Sequence, residues 1–586
     1  MTVTENIADT PGSSDDLTGT KDVEVAAETE VTTDASVVDA LPEIPSSSRV
    51  LLRKASVSEA AEVASGGWNA PAYLSWFEKP FHIADPDTGR KLPEVAGQAM
   101  DAAARGPLNQ VGGYMGNAIV RLAAQDAGCP GPNKCSVYGI KPSSLLTATS
   151  TISGVLAALL MPVFGAIVDH TSHRKLVGVI SGFVAVLAVG IQICISEDTW
   201  FFVLIMDAIG GFALLVHAAS VFAYLPDLTR DYGILSHFTS RINMRQFSVQ
   251  FVYLSLVIII GQIRDLNRSV ASSQQTARDA ASLSLVIGTL FIGYAWTFLF
   301  RKRPALTKVP EGANLLTTGF RQVATTSKKI WKDYVALKWF MISLLLSPEA
   351  GAGVIQSIAV TFLTTVMKFS ALEIAKTNLI LIAANLPGSM FSKWCCAKFN
   401  PLNSYRAGLS MLGISIAISA AVFTGPERRD AVYGLSAAWG FTMGWTYPSQ
   451  RVLLVSLIPK GQETEMMGLF TFMGQIIGWI PPLLYTILNE NGVDQRWGLG
   501  LIPMFCMAAV ALTLPMGSYK DAVERVSRDS EEKLESVIEA TRHPQNTKDI
   551  TQLEKHVPSM EEKEDQEQQV EAGMHEEDGP ELQADV

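Results

Sequence analysis

Residues 145–167 read LLTATSTISGVLAALLMPVFGAI, and the next eight, VDHTSHRK, bring the first charges. A helix that crosses a hydrocarbon core of about 30 Å needs about 20 mostly apolar residues. This run meets that length without one ionisable side chain. Runs like it recur along the chain: Leu176–Ile195, Trp200–Leu225, Met244–Ile263 and Ala281–Phe300, then Trp339–Met367, Ile374–Phe391, Ala407–Phe423, Ala431–Ile458, Met466–Leu488 and Trp497–Met516. Eleven such runs mark a polytopic membrane protein. A twelfth, Val95–Ala124, is weaker, because Asp101, Arg105, Pro107 and Arg121 interrupt it around the stretch GGYMGNAIV at 112–120. We read it as the first span; a re-entrant or surface amphipathic helix is the alternative.

Composition agrees with this reading. Of 586 residues, 48% are hydrophobic and 18% charged, and mean hydropathy is +0.22. A soluble protein carries about 25% charged residues, so a disordered protein, a disulfide scaffold and an ordinary cytosolic enzyme are disfavoured. The net charge of −11 sits in the tails. Residues 1–50 hold 11 acids against 2 bases and residues 518–586 hold 20 against 8, which leaves the body near +10. Tails this negative disfavour nucleic acid as a partner. The segments 1–90 and 518–586 are expected to be acidic, disordered tails, since they lack the apolar residues that would offset ordering entropy. No apolar stretch near Met1 reads as a signal peptide, so targeting falls to a membrane span.

Lys and Arg set the orientation. With both tails cytosolic, the inside loops carry roughly 19 bases and the outside loops roughly 10, in line with the positive-inside rule. The expected layout is an all-α membrane protein of twelve transmembrane helices in two pseudo-symmetric six-helix halves. The halves are 91–301 and 337–517, joined by a basic cytosolic loop at 302–336.

At the end of the second span the sequence reads Gly165-Ala-Ile-Val-Asp169-His-Thr-Ser-His-Arg174-Lys175. It resembles the loop motif of the major facilitator superfamily, with Gly165, Asp169, Arg174 and Lys175 in register and His170 and Ser172 departing. The physical reading is a conformational latch. Gly165 would admit a neighbouring helix, and Asp169 would pair with a base or a helix N-terminus. Some 223 residues on, Gly388-Ser-Met-Phe-Ser392-Lys393-Trp-Cys-Cys-Ala-Lys398 repeats the spacing with Ser392 in place of the acid, as parallel repeats would.

The C-terminal motifs narrow the resemblance. Tyr447-Pro-Ser-Gln-Arg451 comes first, then Leu457-Ile-Pro-Lys-Gly-Gln-Glu-Thr-Glu465, Gly468-Leu-Phe470 and Trp479-Ile-Pro-Pro482 in order. This set, with Ala223-Tyr-Leu-Pro226, looks like the autophagy-related vacuolar amino-acid effluxer family, over roughly residues 95–517. The resemblance implies a major facilitator fold. It further implies alternating-access efflux of amino acids from the vacuole or another endomembrane compartment in autophagic recycling, with proton coupling to be tested. It also implies that spans one, four, seven and ten line a central pathway.

Charged groups within spans are costly, about 2.5–3.5 kcal/mol at the centre on insertion scales, and so mark candidate sites. They are Asp207 and His217 in span four and Glu349 in span seven, with Tyr114 and Asn117 in span one, Trp445 and Tyr447 in span ten, and Gln475 in span eleven. For Asp207 a solvated place at the interface competes, and for His217 a structural hydrogen bond. Glu349 is singled out for proton coupling or recognition of a substrate amine, because Pro348, Gly351 and Gly353 weaken the helix beside it. The Gly112/Gly116, Gly440/Gly444 and Gly474/Gly478 pairs point to close helix packing. No Walker loop, metal-binding His/Cys spacing or nucleophile elbow is present, so an ATP-driven pump, an enzyme, a metal and a cofactor are not expected. Cys129 and Cys135, in the first outside loop, form a disulfide or stay free thiols. The partners expected are a small-molecule substrate and the lipid bilayer. The runner-up functions are carriage of another metabolite or drug, and a non-transporting membrane sensor or scaffold.

Overall fold

Helices follow the apolar runs and overrun their ends. The computed structural model describes residues 72–229, 232–303, 314–347, 354–458 and 463–528. The helices before the basic linker are α1 (Pro93–Asp126), α2 (Leu145–His170), α3 (Arg174–Gln192), α4 (Trp200–Phe222), α5 (Tyr232–Ile263) and α6 (Val270–Tyr294), the last extended by a π turn, Ala295–Leu299. The linker contributes α7 (Leu315–Asp333). After it come α8 (Val335–Leu346), α9 (Val354–Thr365), α10 (Ala371–Phe399), α11 (Pro401–Val422), α12 (Arg429–Leu457), α13 (Glu463–Ile476), α14 (Ile480–Glu490) and α15 (Gln495–Thr513). The described structure is helical apart from isolated bridges and turns. Eight of its helices are long and apolar enough to cross a membrane: α2 to α6, α10, α11 and α15.

The remaining expected spans differ for physical reasons. The run Met466–Leu488 is two helices, because Pro481 and Pro482 have no N–H to continue α13 and instead open α14. Between them the chain turns through Gly478 N–H to Gln475 O (3.3 Å) and Ile480 N–H to Ile477 O (3.0 Å). The run Trp339–Met367 is likewise divided between α8 and α9, and Glu349, with Pro348, Gly351 and Gly353, lies outside the described residues. Helix α6 begins eleven residues before its apolar run, because Ser269 caps it by accepting from Ser272 N–H (3.1 Å) and Gln274 and Arg278 hold the Ile195 carbonyl.

Helix α1 is the weak twelfth run. It is a continuous 34-residue helix, buried over most of its length from Val95 to Ala124, with Asn109 exposed. Small residues make that possible. A Cβ at Gly97 would stand 3.0 Å from Leu299, at Gly106 3.2 Å from Gln250, and at Gly116 2.7 Å from Leu146. Helices α4, α5, α6, α9 and α10 all pack on it, so its charges face protein.

Three segments depart from the sequence expectation. Residues 72–90, read as tail, instead dock. Phe77 and Phe81 pack on Phe291, and Tyr294 donates to Glu78 (3.0 Å), whose carboxyl burial shifts upward in pKa. Residues 519–528 are helical with Ala522 and Val526 buried, while 1–71 and 529–586 lie outside the described residues. The basic linker is in part the amphipathic helix α7. It rests on α2 at Gly319, where a Cβ would overlap the Pro162 carbonyl, and at His170–Gln322 (3.1 Å).

Cys129 and Cys135 are joined as a disulfide with Cα atoms 5.8 Å apart, and Cys194, Cys395, Cys396 and Cys506 are thiols outside any disulfide. Denatured but unreduced protein should therefore bind thiol reagent at four of its six cysteines. Cys129→Ser should raise that to five; six labels before reduction would sink the assignment.

Candidate functional site

The loops that follow α1, α3, α5, α9, α11 and α14 meet at one end of the molecule, called here the loop end. There Trp200 donates to Asp126 (3.1 Å), Arg278 to the Ile195 carbonyl (2.5 Å), and Arg429 to the carbonyls of Met367 and Lys368 (3.0 Å each). The helices before the linker are tied to those after it at this end. Arg121 of α1 donates to the carbonyls of Arg268 (2.6 Å) and Phe369 (2.7 Å). Asn117, one turn back, donates to Thr364 Oγ1 (2.8 Å) and the same Phe369 carbonyl (2.9 Å). Arg268 pairs with Glu373 (2.5 Å), which also closes a capping box with Ser370 at the start of α10.

A second cluster joins α2 to α14 and α15. Lys141 Nζ donates to the Asn489 carbonyl (2.6 Å), and Asn489 Nδ2 donates to Ser143 (2.8 Å) and Ser144 (2.6 Å). Gln495 spans Asn489 (2.8 Å) and Asn133 (3.0 Å). The Lys141 bond, like those of Arg121, is charge-assisted, and such bonds are about twice as strong as neutral ones.

Deeper along α1 the seam with α9 and α10 is polar. Asn378 donates to Gln110 (3.0 Å), Gln356 reaches the Asn109 carbonyl (3.5 Å), and Gly113 leaves room beside Gln356 and Asn378. Asn117 Oδ1, Thr361 Oγ1 and the Tyr114 hydroxyl are buried without a hydrogen-bond partner among the described residues. Buried polar atoms left unpaired cost about 1–3 kcal/mol each. This belt is thus suited to a polar solute or to water.

At the opposite, tail end several ties among the described residues run within one set. Arg174 donates to the Ala223 carbonyl (3.0 Å) and lies over the Tyr224 ring, Lys175 donates to the Phe300 carbonyl (2.7 Å), and Arg303 pairs with Glu94. After the linker, Arg406 holds Thr513 (2.8 Å) and Trp445 donates to Ser404 (3.0 Å). Helix α7 is the bridge here, through Gln322.

The residues singled out by sequence fall in different places. Tyr114 and Asn117 lie on α1, and Asp207 sits beside Gly112 and accepts from Gln192 (3.1 Å), so these three gather around one helix. His217 also meets α1, but nearer its start, fully buried against Asp101. Trp445 packs on Phe391 among the hydroxyls of Ser392, Ser404 and Ser449, Tyr447 is about one-third exposed, and Gln475 ends α13 at the break. Arg174 and Lys175 tie α3 to the ends of α4 and α6. Gly165 corrects its reading: a Cβ there would meet open space, and the helix contact near it is made by Gly319 of α7. Asp169 is half-buried at the end of α2. Sequence reading missed Gln110, Gln356 and Asn378, and counted Asp101 and Arg121 only as interruptions of a span. The signal for those two was their insertion cost. Among the described residues no group of three His, Cys, Asp or Glu could hold a metal ion.

A family model described as vacuole effluxer Atg22 like matches residues 116–525. The chain is similar to autophagy-related protein 22 of Kluyveromyces lactis, 22% identical over 277 residues, 42% of this chain and 53% of that protein. It is 24% identical over 194 residues to autophagy-related protein 22 of Pichia angusta, 30% of this chain and 33% of that one. It thus spans about half the length of the first of these relatives and a third of the second. In fold it is similar to the crystal structure of a bacterial homologue of the iron transporter ferroportin in an inward-facing state. That likeness has a TM-score of 0.50 at 13% identity over 72% of this chain and 98% of that one.

Proposed function

This chain belongs to the vacuole effluxer Atg22-like family, and on that premise we propose that it carries amino acids out of a vacuole-like compartment by alternating access along the α1–α9–α10 seam. It is a multi-pass membrane transporter of the major facilitator type. The proposed layout is twelve spans in two halves, α1–α6 and α8–α15, with α8/α9 and α13/α14 each forming one broken span. The acidic tails and the linker lie in the cytosol under this proposal.

One observation carries it. Among the described residues, Arg121, Asn117 and Lys141 tie the two sets of helices together at the loop end, whereas Arg174 and Arg406 at the tail end make ties within one set. Alternating access needs such an asymmetry, because one end must be closed while the other is free to separate. The polar belt of Asn109, Gln110, Gln356 and Asn378 lies between the two ends, where a solute would pass.

Counterflow of radiolabelled amino acids into proteoliposomes preloaded with the unlabelled compound tests the reading. Wild-type protein should exchange at least one amino acid class faster than empty vesicles do; no exchange of any amino acid would end it. Glu349→Gln sharpens the result. Loss of counterflow places Glu349 in substrate-amine recognition, and loss of pH-driven uptake alone places it in proton coupling.

A further inference from the structure

Asp101 and His217 are 116 positions apart in sequence and both wholly shielded from solvent. The helices that pack here are shaped around the imidazole. A Cβ at Gly182 of α3 would stand 2.8 Å from His217 Cε1, and one at Gly178 would overlap the Trp296 ring that lies against His217 at 5.3 Å. His217 Nδ1 faces the Gly178 carbonyl at 2.8 Å and Nε2 faces Asp101 Oδ1 at 2.6 Å. Trp296 donates its N–H to the same Oδ1 (3.0 Å), and Arg105 donates to Oδ2 (2.6 Å).

These contacts count protons. A carbonyl only accepts, so Nδ1 carries a hydrogen. Nε2 and Oδ1 would then set two lone pairs against each other at 2.6 Å unless one more proton lies between them. Whether it is drawn nearer nitrogen or oxygen, the pair holds one proton beyond neutral imidazole plus carboxylate. The surrounding charges do not replace it. Arg105 of α1 is already bound to Oδ2, and Arg174 and Lys175 of α3 are directed at the Ala223 and Phe300 carbonyls. From α4 the facing group is His217 itself, and from the π turn it is the non-titrating Trp296.

We propose that Asp101 and His217 form a proton-binding site, that the described geometry is its loaded form, and that loss of the proton releases α1 from α4 during transport. The inference rests on the transport reading for its role but not for its chemistry. The proton comes from water on the side to which the site opens, and it is returned to water from the same Nε2–Oδ1 position. No bond other than N–H or O–H changes. Helix α1 carries the consequence, since it bears Asp101 near one end and the seam residues Gln110, Asn117 and Arg121 toward the other. A buried pair is weak evidence of stabilisation, because well-packed apolar groups often serve as well. A role in binding a proton gives the pair a use that packing does not.

Two measurements on the full-length protein decide it. The first is ring-nitrogen NMR of histidine-labelled wild type, with His217→Gln identifying the signal. At pH 8 an exposed imidazole, with an ordinary pKa of about 6.5, is neutral, yet His217 should show no free ring lone pair. A free-nitrogen signal from His217 at that pH overturns the site. The second compares pH-driven uptake with counterflow in Asp101→Asn and His217→Gln. Both should lose pH-driven uptake to the level of empty vesicles while counterflow persists, and retention of pH-driven uptake overturns the role. If wild type shows no counterflow, the transport reading fails, and the NMR result still stands for or against the proton site.

Discussion

Gly440→Leu will cost the protein its native pairing of α10 with α12. A Cβ at Gly440 would stand 2.0 Å from the Leu381 carbonyl oxygen, at Gly444 2.2 Å from that of Asn385, and at Gly388 2.1 Å from that of Phe441. The two backbones therefore touch at three points along about two turns of α10, where dispersion and Cα–H···O contacts replace side-chain packing. Overpacking a core costs typically about 1–3 kcal/mol when side chains can give way. Here the obstacle is backbone, so the loss should reach or exceed the top of that range. Thermal unfolding of the purified protein, followed by size-exclusion chromatography, reads the effect. Gly434→Leu on the same helix meets nothing within 4 Å and should leave the midpoint unchanged. Equal midpoints for the two variants would show that α10 and α12 do not cross this closely.

Arg121→Leu will loosen the loop end. It removes two bonds from a guanidinium to the Arg268 and Phe369 carbonyls, at 2.6 and 2.7 Å. Hydrogen bonds to charged groups contribute about 1.5–3 kcal/mol. Losing even one net bond of that size shifts the balance between closed and open loop ends by roughly ten- to a hundredfold. Overall folding should suffer less, since Asn117 and the Arg268–Glu373 pair remain. The readout is the reaction rate of a cysteine at Gln356 with an impermeant thiol reagent added at the loop end. It should rise in the Arg121→Leu background. A rate equal to that with Arg121 intact would mean that the guanidinium does not hold this end shut.

Most helices were legible because hydropathy and length are properties of contiguous residues. The run LLTATSTISGVLAALLMPVFGAI could be little else in a membrane protein. The capping box of Ser370 and Glu373 was not singled out, and the run Met466–Leu488 was read through the break that Pro481-Pro482 makes in it. The Gly440/Gly444 pair told of close contact, though not with which helix. The family was legible from ordered motifs in the last third of the chain. The candidate site was less so. Tyr114, Asn117 and Asp207 do gather at α1, but Trp445 is turned toward serine hydroxyls within the helices after the linker. Its aromatic ring reads the same in sequence whether it lines a pathway or fills a core.

Gly165 and Gly319 show the limit most clearly. The motif pointed to Gly165 for close approach, while the approach is made at Gly319, in what reads as a polar loop, because α7 folds back onto Pro162. Helix α1 shows it from the other side. Its Asp101 and Arg105 argued against a span, and they are tolerated because His217, Trp296 and each other are their solvent. Apolar length, proline breaks, caps and charge asymmetry follow from neighbours along the chain, so the helices, the membrane class and the family could be read from residues alone. Which helix is central, where two backbones touch, which end is tied and which acid meets which histidine depend on partners more than a hundred residues away. Those pairings are energies of packing and desolvation, and they exist only once the helices stand side by side.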